Sequence, residues 1–208
     1  MRKLVSAFVL FLCIPAALLS AEAIRFSGGS TRMQMQEGYQ SISLSGGAEI
    51  TSGTLTLTAD SIELSGEEFR YVSCTGAVTL NDDERGVTLL GNNLFYDREE
   101  ELVVVDGYLE LEDLTNEVQA TAFFLEFSLD EGSVLLQVQV RLYKHTDSGV
   151  MACKADSLQL EREKRTLELG GNATIDWAGD RYEAQRITVD LDTEQISMDG
   201  TIKGVING

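Results

Sequence analysis

Five times along this chain an apolar-polar alternation changes phase at the same place, by three residues where a strand would use two. The copies are Leu57, Ala59, Ile62, Leu64; Leu89, Gly91, Leu94, Tyr96; Ala120, Ala122, Leu125, Phe127; Cys153, Ala155, Leu158, Leu160; and Tyr182, Ala184, Ile187, Val189. A strand presents alternate side chains to opposite faces, so strict alternation beyond Ala59 would turn Ile62 to solvent. A bulge or corner after the small residue restores the inward direction. A second phrase lies between these copies, apolar at every other position around a centre that is usually glycine: Ile42, Leu44, Gly46, Ala48, Ile50 is the first. Its centres at 46, 76, 107, 138, 171 and 200 are 30, 31, 31, 33 and 29 residues apart. Self-similarity at that period marks a stacked repeat.

The opposite parity is filled with Thr, Ser, Glu, Asp, Arg and Gln, as in Leu55-Thr56-Leu57-Thr58, so each strand has one dry and one wet face. The sole proline is Pro15, which leaves the later strands their full set of backbone donors. Polar clusters such as Asn81 to Gly86, Asp97 to Glu100 and Asp192 to Glu194 mark the turns. The expected fold is all-β: an elongated open β-jellyroll or solenoid-like stack of about six repeats of ~31 residues. With one ~4.8 Å rung per repeat the body is expected to be about 30 Å long. Each end leaves a strand with unpaired backbone groups, able to accept another strand.

Residues 1–23 have the layout of a secretory signal: Arg2 and Lys3, an apolar run from Leu4 to Leu19, and a small-x-small site at Ala21-Glu22-Ala23. The run is shorter than the roughly 20 residues that span a bilayer, so cleavage is expected, with a single domain over 24–208 in an oxidising, extracytoplasmic compartment. Retention of Leu4–Leu19 as an anchor is the alternative. Cys74 and Cys153 remain after cleavage, on the apolar parity but three repeats apart. At one rung per repeat that is about 14 Å, too far to bridge, so both are expected to be free.

The net charge is −18, which makes nucleic acid a poor partner. The acidic residues alternate with apolar ones, as at Glu110, Glu112, Asp190 and Asp192, which describes a solvated outer face. There is no D-x-D-x-D-G loop for calcium and no cysteine-histidine spacing for zinc, and the only histidine, His145, lies in a polar turn. No cofactor and no catalytic constellation is indicated. Trp177 shares the parity of Ile175 and is expected to pack inside.

The residues Phe26-Ser27-Gly28-Gly29-Ser30-Thr31-Arg32, Ser45-Gly46-Gly47-Ala48-Glu49-Ile50 and Leu57-Thr58-Ala59-Asp60-Ser61-Ile62-Glu63-Leu64 resemble the OstA-like domain of the LptA family. Gly91-Asn92-Asn93-Leu94-Phe95-Tyr96-Asp97 and Ala155-Asp156-Ser157-Leu158 look like further copies of the unit. The resemblance implies a periplasmic, non-enzymatic jellyroll that stacks head to tail between inner and outer membranes and shields the acyl chains of lipopolysaccharide, or another glycolipid, in an apolar groove. It implies an LptC-like inner-membrane partner at the N-terminal edge and an LptD-like outer-membrane partner at the C-terminal edge. The strong acidity would repel a phosphorylated head group, but tails rather than heads would lie inside.

The inward set that would line such a groove is Leu57, Ile62, Leu89, Leu94, Val105, Leu109, Leu125, Phe127, Leu136, Val138, Leu158, Leu160, Ile175, Ile187 and Val189. The same residues packing on one another as a sealed core is the competing expectation, and it would suit a structural β-solenoid. A membrane-anchored LptC-like component is a further alternative, and a glycan-cleaving enzyme is the least supported.

Overall fold

Runs of alternating Leu, Val, Ile and Thr without proline favour strands over any other element, and the computed structural model is built of them. It describes residues 25–207 apart from 37, 38, 85, 129, 148, 162 and 194. The signal-like segment therefore lies outside the described residues. The strands are β1 (Arg25–Ser27), β2 (Ser30–Gln36), β3 (Tyr39–Ser52), β4 (Leu55–Ser65), β5 (Tyr71–Asp82), β6 (Val87–Asp97) and β7 (Leu102–Asp113). They continue as β8 (Val118–Ser128), β9 (Ser133–Thr146), β10 (Gly149–Glu161), β11 (Thr166–Trp177), β12 (Asp180–Asp190), β13 (Ile196–Asp199) and β14 (Lys203–Val205). All belong to one antiparallel sheet in which each strand from β3 to β12 pairs with its neighbours in sequence.

Every long strand bends in its middle, and the two phrases divide the work. Between Ser45↔Ser61 and Ala48↔Ala59, β3 spends two residues against one of β4, and the same offset recurs in each later pair. The extra residue falls on β3, β5, β7, β9 and β11, at the centre of the glycine phrase. There the backbone is left-handed at Gly46 and Gly47, Gly76 and Ala77, Gly107, Val138 and Gln139, and Gly171 and Asn172. The bulge therefore belongs to the second phrase. The phase change in the first phrase is the partner strand following the bend.

Seven inward side chains, Leu89, Val105, Leu109, Leu125, Phe127, Leu169 and Ile187, are fully excluded from solvent. A single sheet reaches that state only by covering itself, so the corner folds the two halves of each strand face to face as two walls of one apolar core. Beside the corner on β4, β6, β8, β10 and β12 one wall carries Ile62, Leu94, Leu125, Leu158 and Ile187, while the other carries Ala59, Gly91, Ala122, Ala155 and Ala184. Large residues facing small ones let the walls approach at the crease without overpacking.

The stack is longer than the repeat alone suggested. One repeat is an antiparallel pair of bent strands, hence two rungs. The path β1-β3-β4 through β12-β13 contains twelve strands and gives a body about 50 Å long at ~4.8 Å per rung. Cys74 on β5 and Cys153 on β10 are thus five rungs apart, and both are buried free thiols.

Val138 departs from its expected place. It occupies the glycine position of the fourth corner with φ at 66° and is 52% exposed, on the outside of the bend. A β-branched residue in the left-handed region is sterically disfavoured by about 1–2 kcal/mol. Val138→Gly is therefore expected to raise stability by about 1 kcal/mol, or about 2–4 °C in Tm, measured by thermal unfolding under circular dichroism.

The turns form two rows, each tied along its own length. In one, Asp83, Leu114 and His145 donate their backbone N–H to the carbonyls of Thr54, Gly86 and Glu117 in the preceding turn. In the other, Arg98 and Leu191 do the same to Arg70 and Arg165. His145 is exposed and sits at the end of β9, with its backbone spent on this row.

Candidate functional site: an apolar interior with two uncovered ends

The interior is positioned entirely by parity. Leu57, Ile62, Leu89, Leu94, Val105, Leu109, Leu125, Phe127, Leu136, Leu158, Leu160, Ile175 and Ile187 all lie in the buried cluster that runs the length of the sheet. Val189 is half-buried and packs against it near the C-terminal end, and Val138 lies outside it. Parity also brings in residues that the proposed lining left out, among them Leu44, Val72, Val103, Leu142, Leu167 and Leu169. Their alternation with polar neighbours was the available signal.

At the two ends the same inward face is no longer covered. Met33 stands opposite Ile42 and Phe26 opposite Ile50, both on interior positions, yet Met33 is 52% exposed, and Met35, two residues on, is 62% exposed. At the far end Ile196 and Met198 stand opposite Val189 and Ile187 and are only partly buried. Ile202 and Ile206 flank Gly204, which lies opposite Tyr182, and both are exposed. Trp177, the chain's one tryptophan, is half-buried against the core near this end, and its indole Nε1–H donates to Thr146 Oγ1 at 3.1 Å.

Charge is distributed unevenly around this interior. Residues 25–36 carry Arg25 and Arg32 and no acidic residue, although the chain as a whole is at −18. One multiply paired charge lies in a turn. Arg70 donates from Nε and Nη2 to the two carboxylate oxygens of Asp97 at 2.8 and 2.7 Å, and it also meets Glu99, while its guanidinium lies 5.1 Å from the Tyr71 ring centroid. That hydrogen-bonded pairing holds the Asp97 carboxyl below the usual carboxylate range, helped by the backbone N–H groups of Glu99 and Glu100. A folded-state pKa below the unfolded value stabilises at neutral pH, and the gain is lost as pH falls through the folded value. Asp97→Asn is accordingly expected to unfold at lower urea than the parent at pH 6, with the difference shrinking below about pH 4. Urea titrations at the two pH values measure it.

Burial pushes the Cys74 and Cys153 thiols up to about 12, so neither is a thiolate at neutral pH. Among the described residues no group of three or more His, Cys, Asp or Glu is placed to hold a metal ion, and no helix is long and apolar enough to cross a membrane. What this arrangement offers chemically is apolar surface, packed along the middle of the sheet and exposed at its two ends.

Residues 134–195 match a protein-family model described as LptA/(LptD N-terminal domain) LPS transport protein. No curated protein matches the sequence. Among solved structures there is a pairing with LptH from Pseudomonas aeruginosa, described as the LptA homologous periplasmic component of the conserved lipopolysaccharide transport device. It is 12% identical over 90% of this chain and 96% of that one, at a TM-score of 0.27, too low to carry a structural argument. The matched segment runs from β9 to the turn after β12 and is built of the same bent strand pairs as the rest of the described sheet. The likeness to the LptA/LptD N-terminal family is thus carried by residues 134–195, β9 to the turn after β12.

Proposed function

We propose that this protein is a periplasmic lipopolysaccharide-transport component, not an enzyme, which passes acyl chains through its apolar interior and joins further copies end to end between the two membranes. The observation that carries the reading is an inward apolar face continuous from β3 to β12, closed along its middle and uncovered at both ends. Each apolar Å² kept from water is worth about 25 cal/mol, so a tail inside such a strip is not re-exposed as it advances. The resting interior is filled by its own side chains. A tail therefore enters by parting the walls from an end, replacing wall-to-wall contact with wall-to-tail contact. The walls share one hinge line at the corner, and each row of turns is hydrogen-bonded along itself, which suits that motion.

End-to-end joining follows from the two edges. The N-terminal edge is one bent strand, β1 then Gly28-Gly29 then β2, and the C-terminal edge is another, β13 then Gly200 then β14. The first takes the place of a small-residue-phrase strand and the second that of a glycine-phrase strand. A second copy placed on the C-terminal edge would thus continue the antiparallel alternation with its corner aligned. Carrying over the register of β5 on β6 sets Ile196 opposite Met33, Ser197 opposite Arg32 and Asp199 opposite Ser30 of the next copy. Asp199 would then lie diagonally from Arg32, an opposite-charge neighbour. By the same edges an LptC-like partner fits at β2 and an LptD-like partner at β13.

The double variant Ser197→Cys with Arg32→Cys tests this joining. Under mild oxidation it is expected to give a disulfide-linked ladder of multimers, because directly opposed residues have Cβ atoms about 4.5–5.5 Å apart. Ser197→Cys with Gln34→Cys, two residues out of register, is expected to stay monomeric. Equal ladders from both, or none from the first, would contradict the register. N-terminal sequencing of the mature protein is expected to begin near Ile24.

A further inference from the structure

The methionines are not spread at random over this molecule. Of the four in the described residues, Met151 is buried, Met198 is partly buried on the C-terminal edge, and Met33 and Met35 are the two most exposed, side by side on the interior face of β2. An edge strand that must hold an apolar face toward solvent until it is covered exposes whatever residue it uses there, and here that residue is a thioether. We infer that Met33 and Met35 are an oxidative modification site controlling whether the N-terminal edge can be joined, an inference that rests on the end-to-end reading above.

The chemistry needs a two-electron oxidant of the peroxide class. A sulfur lone pair attacks one peroxide oxygen, the O–O bond breaks, and the sulfur gains an S–O bond. The departing hydroxide takes up the proton released from the transferred oxygen and leaves as water. The product sulfoxide is polar. In the joined form the register places Met33 against Ile196 of the neighbouring copy, where a sulfoxide would be buried without a hydrogen-bond partner. A joined end is shielded and a free end is not, so oxidation blocks new joints before it opens existing ones. Met151, on the same chain but inside the core, is the internal reference for slow oxidation.

The experiment treats the full mature protein with hydrogen peroxide, reads oxygen addition at each methionine by peptide mass, and follows self-association by sedimentation velocity. Oxidation of Met33 and Met35 ahead of Met151 is expected, with self-association weakened about tenfold or more and restored by methionine sulfoxide reductase. In a Met198→Leu background, which removes the thioether on the opposite edge of the joint, Met33→Leu/Met35→Leu is expected to associate as the parent does and to be unaffected by peroxide. Full oxidation of both residues with association unchanged, or a leucine variant that remains peroxide-sensitive, would overturn the inference while leaving end-to-end joining intact. No association before treatment would instead remove the joining and this inference with it.

Discussion

Phe127→Ala is expected to destabilise the protein by about 3–5 kcal/mol, the range for truncating a fully buried aromatic side chain. Phe127 has no exposed surface and sits on β8 near the middle of the stack, paired with Val103 on one side and Val134 on the other. Its loss leaves a void between the two walls at the middle of the stack. At about 2–4 °C per kcal/mol for a domain of this size, the melting temperature should fall by about 6–20 °C. Leu114→Ala, removing a large but exposed side chain from a turn, should change it by no more than about 0.5 kcal/mol. Equal effects at the two positions would mean that the apolar parity does not define a packed interior.

The second large effect is at the crease. Gly171 has φ at 73°, and a Cβ built on it would lie 2.8 Å from Asp156 Cβ and 2.9 Å from Asp156 Cγ on the neighbouring strand. Asp156 Cβ is carried by its own strand backbone and rotation of the side chain does not remove it, while the carboxylate Oδ2 accepts a hydrogen bond from Asn172 Nδ2 at 2.9 Å. Gly171→Val therefore combines a disfavoured backbone region with a collision, and a loss of about 3 kcal/mol or more is expected. Gly107 provides the comparison: its φ is 98°, yet nothing lies within 4 Å of the added atom. Gly107→Ala should cost only the backbone component, about 1–2 kcal/mol. The tolerance of Val138 at the equivalent corner is the natural version of the same experiment, a strained backbone with open space around it.

The inward set and the thirty-residue period could be read from the sequence because both follow from the strict two-residue alternation of a strand. Leu57, Leu94 or Leu158 have only one face on which to be buried. The identity of the bulged strand was less legible. The phase change is visible at Ala59 to Ile62, but the extra residue lies on the partner strands, signalled only by Gly46-Gly47, Gly76-Ala77 and Gly171-Asn172, residues that accept left-handed backbone. At Val138 apolar parity points inward, while its place at a corner turns the side chain out. Periodicity gives the length of a unit without saying how many times that unit crosses the sheet, so the rung count is not legible in it. The hydrogen-bonded rows of turns, such as Arg70 to Asp97, join residues 27 positions apart whose types carry no pairing signal of their own.

Photo-crosslinking with lipopolysaccharide tests the interior route of the lipid most directly, using a short photoreactive side chain at neighbouring positions of opposite parity. Leu94 and Phe127 face the interior, while Phe95 and Glu126 beside them face outward, and Phe95 is itself apolar and exposed. Lipid adducts at 94 and 127, with little or none at 95 and 126, are the expected result. Adducts at 95 or 126 without any at 94 and 127 would show that lipid rides on the outside of the sheet, and would contradict an interior route.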